Sequence, residues 1–247
     1  KAFRSDEVGR KHNPEFTLLE WYRLGWDHLQ LIEEVDNLLV ECLGCGRGDT
    51  VSYYTLFQQY LEINPHCCDE NQLRQVAERH INIGDMALAD TDAWLDLLFS
   101  HCIEPHLGQG RPTFVVEYPH SQAALAQVKE ELIDGERVHV AKRFEVFFEG
   151  LELANGYHEL TDPKEQKRRF AVDQEKLSLS GSQCLVDQGS IDQGTAERRP
   201  VDQRLLAAME SGLPSCAGVA LGIDRLLMLM LGKDSLSEVL VFDFYKA

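Results

Sequence analysis

Basic residues are scarce in this chain. Lys and Arg number 24 against 41 Asp and Glu, which leaves a formal net charge of −17 over 247 residues. A surface that acidic excludes a general attraction to nucleic acid, because affinity for phosphates rests largely on Lys and Arg. The densest basic group, Lys164, Lys167, Arg168 and Arg169, has helical spacing and reads as a solvated face. Long apolar runs are also lacking. The most apolar stretch, Val219 to Leu231, is interrupted by Asp224 and Arg225, so no segment reads as a membrane-spanning helix. Neither G-x-x-x-x-G-K-[ST] nor G-x-G-x-x-G occurs, which removes the two usual phosphate-cradling loops. The 7 cysteines are an odd number, so they cannot all pair with one another. Cys42 and Cys45 form a C-x-x-C with no second half of a zinc site, and read as free thiols near a helix end. That usage fits a reducing cytoplasm. No signal peptide opens the chain. It starts Lys1-Ala2-Phe3-Arg4, without Met, like the middle of an element. We expect a fragment whose natural N-terminal part is absent.

The apolar pattern expects strands over Phe16–Tyr22, Thr113–Tyr118, Arg143–Glu149, Leu151–Leu153, Cys216–Leu221 and Val239–Phe244. It expects helices over Asp27–Leu43, Ser52–Leu61, Asp69–His80, Thr91–His101, Val201–Ser211 and Ile223–Leu231, and another opening at Thr161-Asp162-Pro163. In the first helix, Leu29, Ile32, Val35, Leu38 and Leu39 form the apolar stripe; Ser52, Asp69 and Thr91 are candidate N-caps. Glu149-Gly150 reads as a hairpin turn. Leu177 to Arg199, rich in Ser, Gly and Gln, reads as a mobile surface loop. Hairpins at one end and helices at the other favour an α+β fold with a mostly antiparallel sheet.

Three clusters carry chemistry. The first runs from Phe3-Arg4-Ser5-Asp6-Glu7 through His12-Asn13-Pro14-Glu15-Phe16 to Glu20-Trp21-Tyr22. On a strand Phe16, Glu20 and Tyr22 share a face, with Phe16 and Glu20 roughly 13 Å apart. That suits an aromatic ring under a purine at one end and a carboxylate for an ammonium at the other. A buried Phe and a paired Glu on an ordinary strand account for this cluster alone more simply. The second contains Glu145 and Glu152. With a two-residue turn at Glu149-Gly150, Phe147 faces Glu152 and Glu145 is its diagonal neighbour, about 7 Å away. Such carboxylates repel unless a cation such as magnesium lies between them, or unless both are solvated on an exposed face. The third is Gly218-Val219-Ala220-Leu221-Gly222-Ile223-Asp224-Arg225. Gly222 ends a strand where backbone can approach a ligand. Arg225 sits in a helix first turn, against the dipole, where a phosphate or a neighbouring carboxylate would repair the mismatch.

Together these residues resemble the class II aminoacyl-tRNA synthetases, in the lysyl branch. Phe3-Arg4 with His12-Asn13-Pro14-Glu15-Phe16-Thr17 looks like that class's second motif, Gly222-Ile223-Asp224-Arg225 like its third, and Glu152 to Glu159 like the strand that closes the lysine pocket. The resemblance covers nearly the whole chain. It implies one catalytic domain over 1–247, an antiparallel sheet flanked by helices, whose first motif and dimer-forming part lie upstream. It implies ATP and magnesium as cofactors. Arg4 would hold the α-phosphate and the substrate carboxylate, and Phe16 and Arg225 would sandwich the adenine. Asp6, Asn13, Leu153 and Gly222 would complete the nucleotide site. Glu145 and Glu152 would bind the metal. Glu20, Tyr22, Asn155, Glu159 and Ala220 would receive an amino acid with a second ammonium group. The family usually has Arg-Asn-Glu where this chain reads Arg4-Ser5-Asp6, and Asp6 is one methylene shorter than Glu.

Typical lysyl synthetases carry Gly where this chain has Ala220. Trp21, the run Ser121 to Gln127, and Cys216 to Arg225 look more like the truncated paralogues of the branch, which modify elongation factor P with a β-lysyl group. That resemblance implies elongation factor P as the acceptor, a small amino acid as substrate, a homodimer when full length, and no membrane or nucleic-acid partner. Two other readings compete: the catalytic core of a lysyl-tRNA synthetase, and a non-catalytic paralogue that senses an amino acid or adenylate. The presence of Arg4, Glu152 and Arg225 weighs against the last.

Overall fold

A computed structural model describes residues 1–4, 8–84, 86, 88–183 and 202–243. The chain forms two compact units, one made of 1–159 and 216–247, the other of 160–215.

In the first unit the strands β1 (Ala2–Phe3) and β2 (Glu15–Phe16) pair as a small antiparallel ribbon, and β3 (Leu18–Leu24) follows at once. Then come α1 (His28–Leu43), β4 (Asp49–Ser52), α2 (Tyr53–Leu61), α3 (Glu70–His80) and α4 (Thr91–Leu98). Strand β5 (Thr113–Val116), the ribbon of β6 (Val128–Ile133) and β7 (Glu136–Ala141), and the hairpin of β8 (Arg143–Phe148) and β9 (Leu151–His158) come next. After the second unit, β10 (Cys216–Gly222) runs straight into α7 (Ile223–Met230), the helix numbered after α5 and α6 below.

The main sheet has the order β3-β10-β9-β8-β5-β4, antiparallel throughout except for the parallel β4–β5 pair. The expected α+β architecture is borne out. One face of the sheet packs on α1, where Leu31, Ile32, Val35 and Leu39 meet Phe114, Phe144, Val146, Leu153, Val219 and Leu221. On the other face α2, α3 and α4 cover the β5–β8 end, packing Tyr53, Phe57, Trp94 and Leu98 against Val115, Tyr118 and Phe147. Truncating a buried ring such as Phe57 to Ala would cost about 3–5 kcal/mol. The rest of that second face, toward β9, β10 and β3, presents polar side chains, and there the cavity lies.

Local signals explain most boundaries. Asp27 caps α1 in a reciprocal arrangement with Gln30, and Gly44 ends it at φ 63°, a conformation that costs glycine little. Leu31 replaces Leu29 in the buried stripe, since Leu29 is exposed. Ser52 and Asp69 cap α2 and α3 as expected, whereas α4 is capped by Asp90, one residue before Thr91. Helix α4 ends at Leu98 and passes into a π-helical turn over Phe99–Ile103. Glu149 and Gly150, at φ 51° and 64°, make the expected tight hairpin turn.

Strands β1 and β4 and the β6–β7 ribbon go beyond the strands that the apolar pattern marks. The strand expected over Val239–Phe244 does not form at 239–243, where a 3-10 turn over Leu236–Glu238 leads into irregular chain with Val239 and Leu240 packed against the core. Val241 and Phe242 are 83% and 75% exposed, so their β-branched and aromatic character meets no neighbouring strand. Phe244 lies outside the described residues.

The second unit contains α5 (Pro163–Gln183) and α6 (Gln203–Glu210). Asp162 Oδ1 accepts the Lys164 N–H at 2.9 Å, and Pro163 takes the first helical position. Arg168 and Arg169 pair with Glu165 on one helix face. Residues 177–183 are helical, against the loop expected from 177 onward; 184–199 lie outside the described residues. Among the described residues, no helix is long and apolar enough to cross a membrane.

Candidate active site

The register of four strands builds the site. Glu20 on β3 faces Ala220 on β10, Ala220 faces Asn155 on β9, and Asn155 faces Glu145 on β8. The next row reads Tyr22, Gly218, Tyr157 and Arg143. Residues of one row point to one face, because side chains alternate along a strand. Sequence spacing alone would set Glu145 opposite Ala154. The structure sets it opposite Asn155, because Phe147 pairs with Glu152 and Val146 with Ala154, leaving Leu153 as an extra residue. This bulge lets Glu152 and Asn155, three residues apart, share the cavity face.

The cavity has a volume of about 460 Å³. Arg4, Asn13, Phe16, Glu20, Glu145, Glu152, Leu153, Asn155, Ala220, Gly222 and Arg225 all line it, as do Lys11, Thr17, Tyr157 and Asp224, to which no role was given beforehand. Tyr22 and Glu159 lie outside its lining and meet each other over Gly218. A methyl group added there would stand 2.4 Å from Glu159 Oε1 and 2.6 Å from Tyr22 Cε1. Asp6 lies outside the described residues.

At one end of the cavity the Arg4 guanidinium stands 5.3 Å from the Phe16 ring centre, within cation–π range. Asn13 Nδ2 donates to the Glu15 carbonyl at 2.6 Å. Arg225 donates through Nη1 to the Glu152 carbonyl at 2.8 Å and through Nε to the Lys11 carbonyl at 3.3 Å. Its Nη1 also lies 3.7 Å from Glu152 Oε2, a loose ion pair. Gly222, with no side chain, occupies the cap position of α7, so the helix N-terminus gains no side-chain acceptor from its cap.

The floor is a buried polar network. Arg143 donates to Glu145 Oε1, to the Gln122 carbonyl at 2.8 Å and to Asn155 Oδ1 at 3.3 Å. Its guanidinium lies 4.5 Å from the Tyr118 ring centre and 5.8 Å from that of Tyr157. Burial opposes its charge, but Glu145 and the flanking tyrosines more than offset that and push its pKa up. Tyr118 donates to Glu145 Oε2 at 2.7 Å, and Asn155 Nδ2 donates to Glu145 Oε1 at 3.1 Å. Arg143, Tyr118 and Tyr157 were missed because their role follows from cross-strand register; only the alternation Arg143-Phe144-Glu145 hinted at it.

Two carboxyls and one phenol of the site are pushed upward. Burial first, then the charge of Glu145, pushes the Glu152 carboxyl up to about 7. Burial alone pushes Glu159 up to about 7. Burial, then Glu159 and Glu20, raises the Tyr22 phenol. Such groups call for a cation: bound positive charge would return each carboxyl to its ionised form.

The donor set fits magnesium unevenly. Glu152 offers a carboxylate with little compensation beyond Arg225, whereas both oxygens of Glu145 already accept from protein donors. Among the described residues no group of three or more His, Cys, Asp or Glu side chains is arranged to hold a metal ion. A cation that takes most of its oxygens from phosphates and water needs no such cage.

Comparison with known proteins gives the family. The family described as tRNA synthetases class II (D, K and N) matches residues 1–245. The "Elongation factor P--(R)-beta-lysine ligase" of Klebsiella pneumoniae (strain 342) is 46% identical over 249 residues, covering 100% of this chain and 70% of that protein. The protein of the same name from Salmonella dublin is 46% identical, and that from Salmonella paratyphi B 45%, over the same shares. The resemblance carried by the three motifs is borne out. The chain belongs to the class II tRNA synthetase family of the D, K and N type.

Proposed function

We propose that this chain catalyses ATP-dependent activation of (R)-β-lysine, or lysine, as an acyl-adenylate and passes the acyl group to a lysine side chain of elongation factor P. One observation carries the reading. A nucleotide-type end, with Arg4, Phe16 and Arg225, and an acidic end, with Glu20 and Asn155, share one cavity. The names of the relatives supply the acceptor and the isomer.

ATP enters as a substrate. Phe16 and Arg225 hold the adenine between them, with Asn13, Leu153 and Gly222 around it and Asp6 as a further contact. Arg4 binds the α-phosphate and the amino-acid carboxylate, drawing the two reacting groups together. The carboxylate oxygen attacks the α-phosphorus, an acyl–phosphate bond forms, and the bond to pyrophosphate breaks. Arg4 and Arg225 stabilise the charge that develops. Magnesium, when bound, adds positive charge at the phosphates. Glu152 would hold it directly, while Glu145 lends charge with its oxygens still tied to Tyr118, Arg143 and Asn155. Glu20, Tyr22 and Glu159 receive the ammonium groups, and Asn155 and Ala220 shape the floor. The Ala220 methyl suits an amine displaced by one carbon from the α-position. A neutral lysine amine of the acceptor then attacks the acyl carbon, and AMP leaves.

We read residues 1–247 as belonging to one catalytic domain that works as a homodimer in the cytoplasm. Charging of tRNA is the runner-up, favoured by the breadth of the matching family. Amino-acid-dependent pyrophosphate exchange tests the activation step. Lysine isomers should support exchange and norleucine should not, since the half-buried Glu159 would lose its cationic partner in the analogue. Comparable exchange with norleucine would dismiss the ammonium site.

A further inference from the structure

Phe16 and Arg225 reach the cavity from opposite ends of the sequence, and something must fix their mutual position. Among the described residues, hydrogen bonds join the segment before β3 to the C-terminal elements, and four of them bear on this question. The Leu236 N–H donates to the Arg10 carbonyl at 2.8 Å and Arg225 Nε to the Lys11 carbonyl at 3.3 Å. The other two meet at Thr17. Its carbonyl accepts the Ile223 N–H at 3.0 Å, and its own N–H donates to Asp224 Oδ2 at 2.7 Å, across 207 residues of sequence.

Thr17 is the one residue between β2, which ends at Phe16, and β3, which starts at Leu18. Its backbone therefore leaves the strand ladders, and its polar groups need other partners. The first turn of α7 supplies both. An acid in a helix first turn is favoured by the dipole wherever it points. Asp224 does more: its Oδ2 reaches out of its own helix to a backbone donor adjoining Phe16, while the next residue is Arg225. With a carboxylate as its acceptor, this bond is stronger than the two neutral backbone bonds, from Leu236 to Arg10 and from Ile223 to Thr17.

We infer that Asp224 is a positioning residue for nucleotide binding, setting the Phe16 ring relative to the Arg225 guanidinium. The inference rests on the proposal that these two groups hold the adenine. Asp224 touches no reacting atom in this account. It acts through Thr17 and through the start of α7.

The test uses the full chain and compares Asp224→Ala, Asp224→Asn and Phe16→Ala in pyrophosphate exchange, with far-UV circular dichroism as the folding check. Asp224→Ala should raise KM for ATP roughly 10- to 100-fold, the loss expected when a charge-assisted positioning contact goes. KM for the amino acid should stay close to wild type, a split that general loosening of the fold would not produce. Asp224→Asn keeps an acceptor oxygen and should recover most of the ATP affinity. Wild-type KM for ATP in folded Asp224→Ala, with Phe16→Ala impaired, would overturn the inference and leave the adenine site standing. Wild-type KM in Phe16→Ala as well would overturn the adenine reading itself. Should Asp224→Ala not fold, Asp224→Glu moves the acceptor by one methylene and should raise KM for ATP several-fold; an unchanged value there would overturn the inference.

Discussion

At the residue scale the site is a problem of charge. Glu152 stands beside Glu145, and burial together with that neighbour pushes its carboxyl up to about 7. In the unfolded chain a Glu titrates near about 4.3. Between those values the folded protein binds more protons than the unfolded one. Glu152 thus contributes stability that is fully present below the unfolded pKa and lost as pH rises through about 7. Glu152→Gln stays neutral at every pH and should escape that loss. Because the Glu152 side chain keeps 38% of its surface exposed, screening reduces the effect to about 1 kcal/mol. Without metal or nucleotide, the variant should melt above wild type at pH 8 and level with it near pH 4.5; equal melting at both would show that Glu152 carries no such strain. The residues legible in sequence were those whose type is unusual for their place, such as Arg225 in a helix first turn. Arg143, Tyr118 and Tyr157 were not, since each is an ordinary strand residue until four strands are set in register.

At the element scale β10 is the hinge of the design. It sits between β3 and β9, so its pocket-side residues face both partners: Ala220 faces Glu20 and Asn155, and Gly218 faces Tyr22 and Tyr157. Gly218 is small so that Glu159 and Tyr22 can close over it. In Gly218→Ala the new methyl would meet the Glu159 carboxylate at 2.4 Å, and both side chains would swing away. They are side-chain ends, so the fold should survive. KM for the amino acid should rise about tenfold, as for one lost charge-assisted contact, with KM for ATP nearly unchanged. A matching rise in both would assign Gly218 to the sheet rather than to the substrate. Elements with strong local signals were readable: the Asp27 cap, the Gly44 stop, the Glu149-Gly150 turn. Asp134-Gly135, at φ 56° and 80°, joins β6 to β7 by the same device, yet its flanks carry too many exposed polar residues to show strand alternation. Val239 to Asp243 failed in the opposite way. Its composition suits a strand, but a strand needs a partner, and composition cannot supply one.

At the scale of the whole molecule, charge and ancestry point to different acceptors. The family is one of tRNA synthetases, but a net charge of −17 over 247 residues offers tRNA no general attraction. The relatives at 46% identity carry the name of a ligase for elongation factor P. The order and spacing of three motifs made the fold and the adenylate chemistry legible. The acceptor was less so, because the geometry that receives it is not written in any one motif. One measurement decides most directly. The intact enzyme is given ATP and radiolabelled (R)-β-lysine, with either purified elongation factor P or tRNA. Label should enter the protein in an ATP-dependent way and disappear when its acceptor lysine is replaced. Label on tRNA, with none on elongation factor P, would contradict the account.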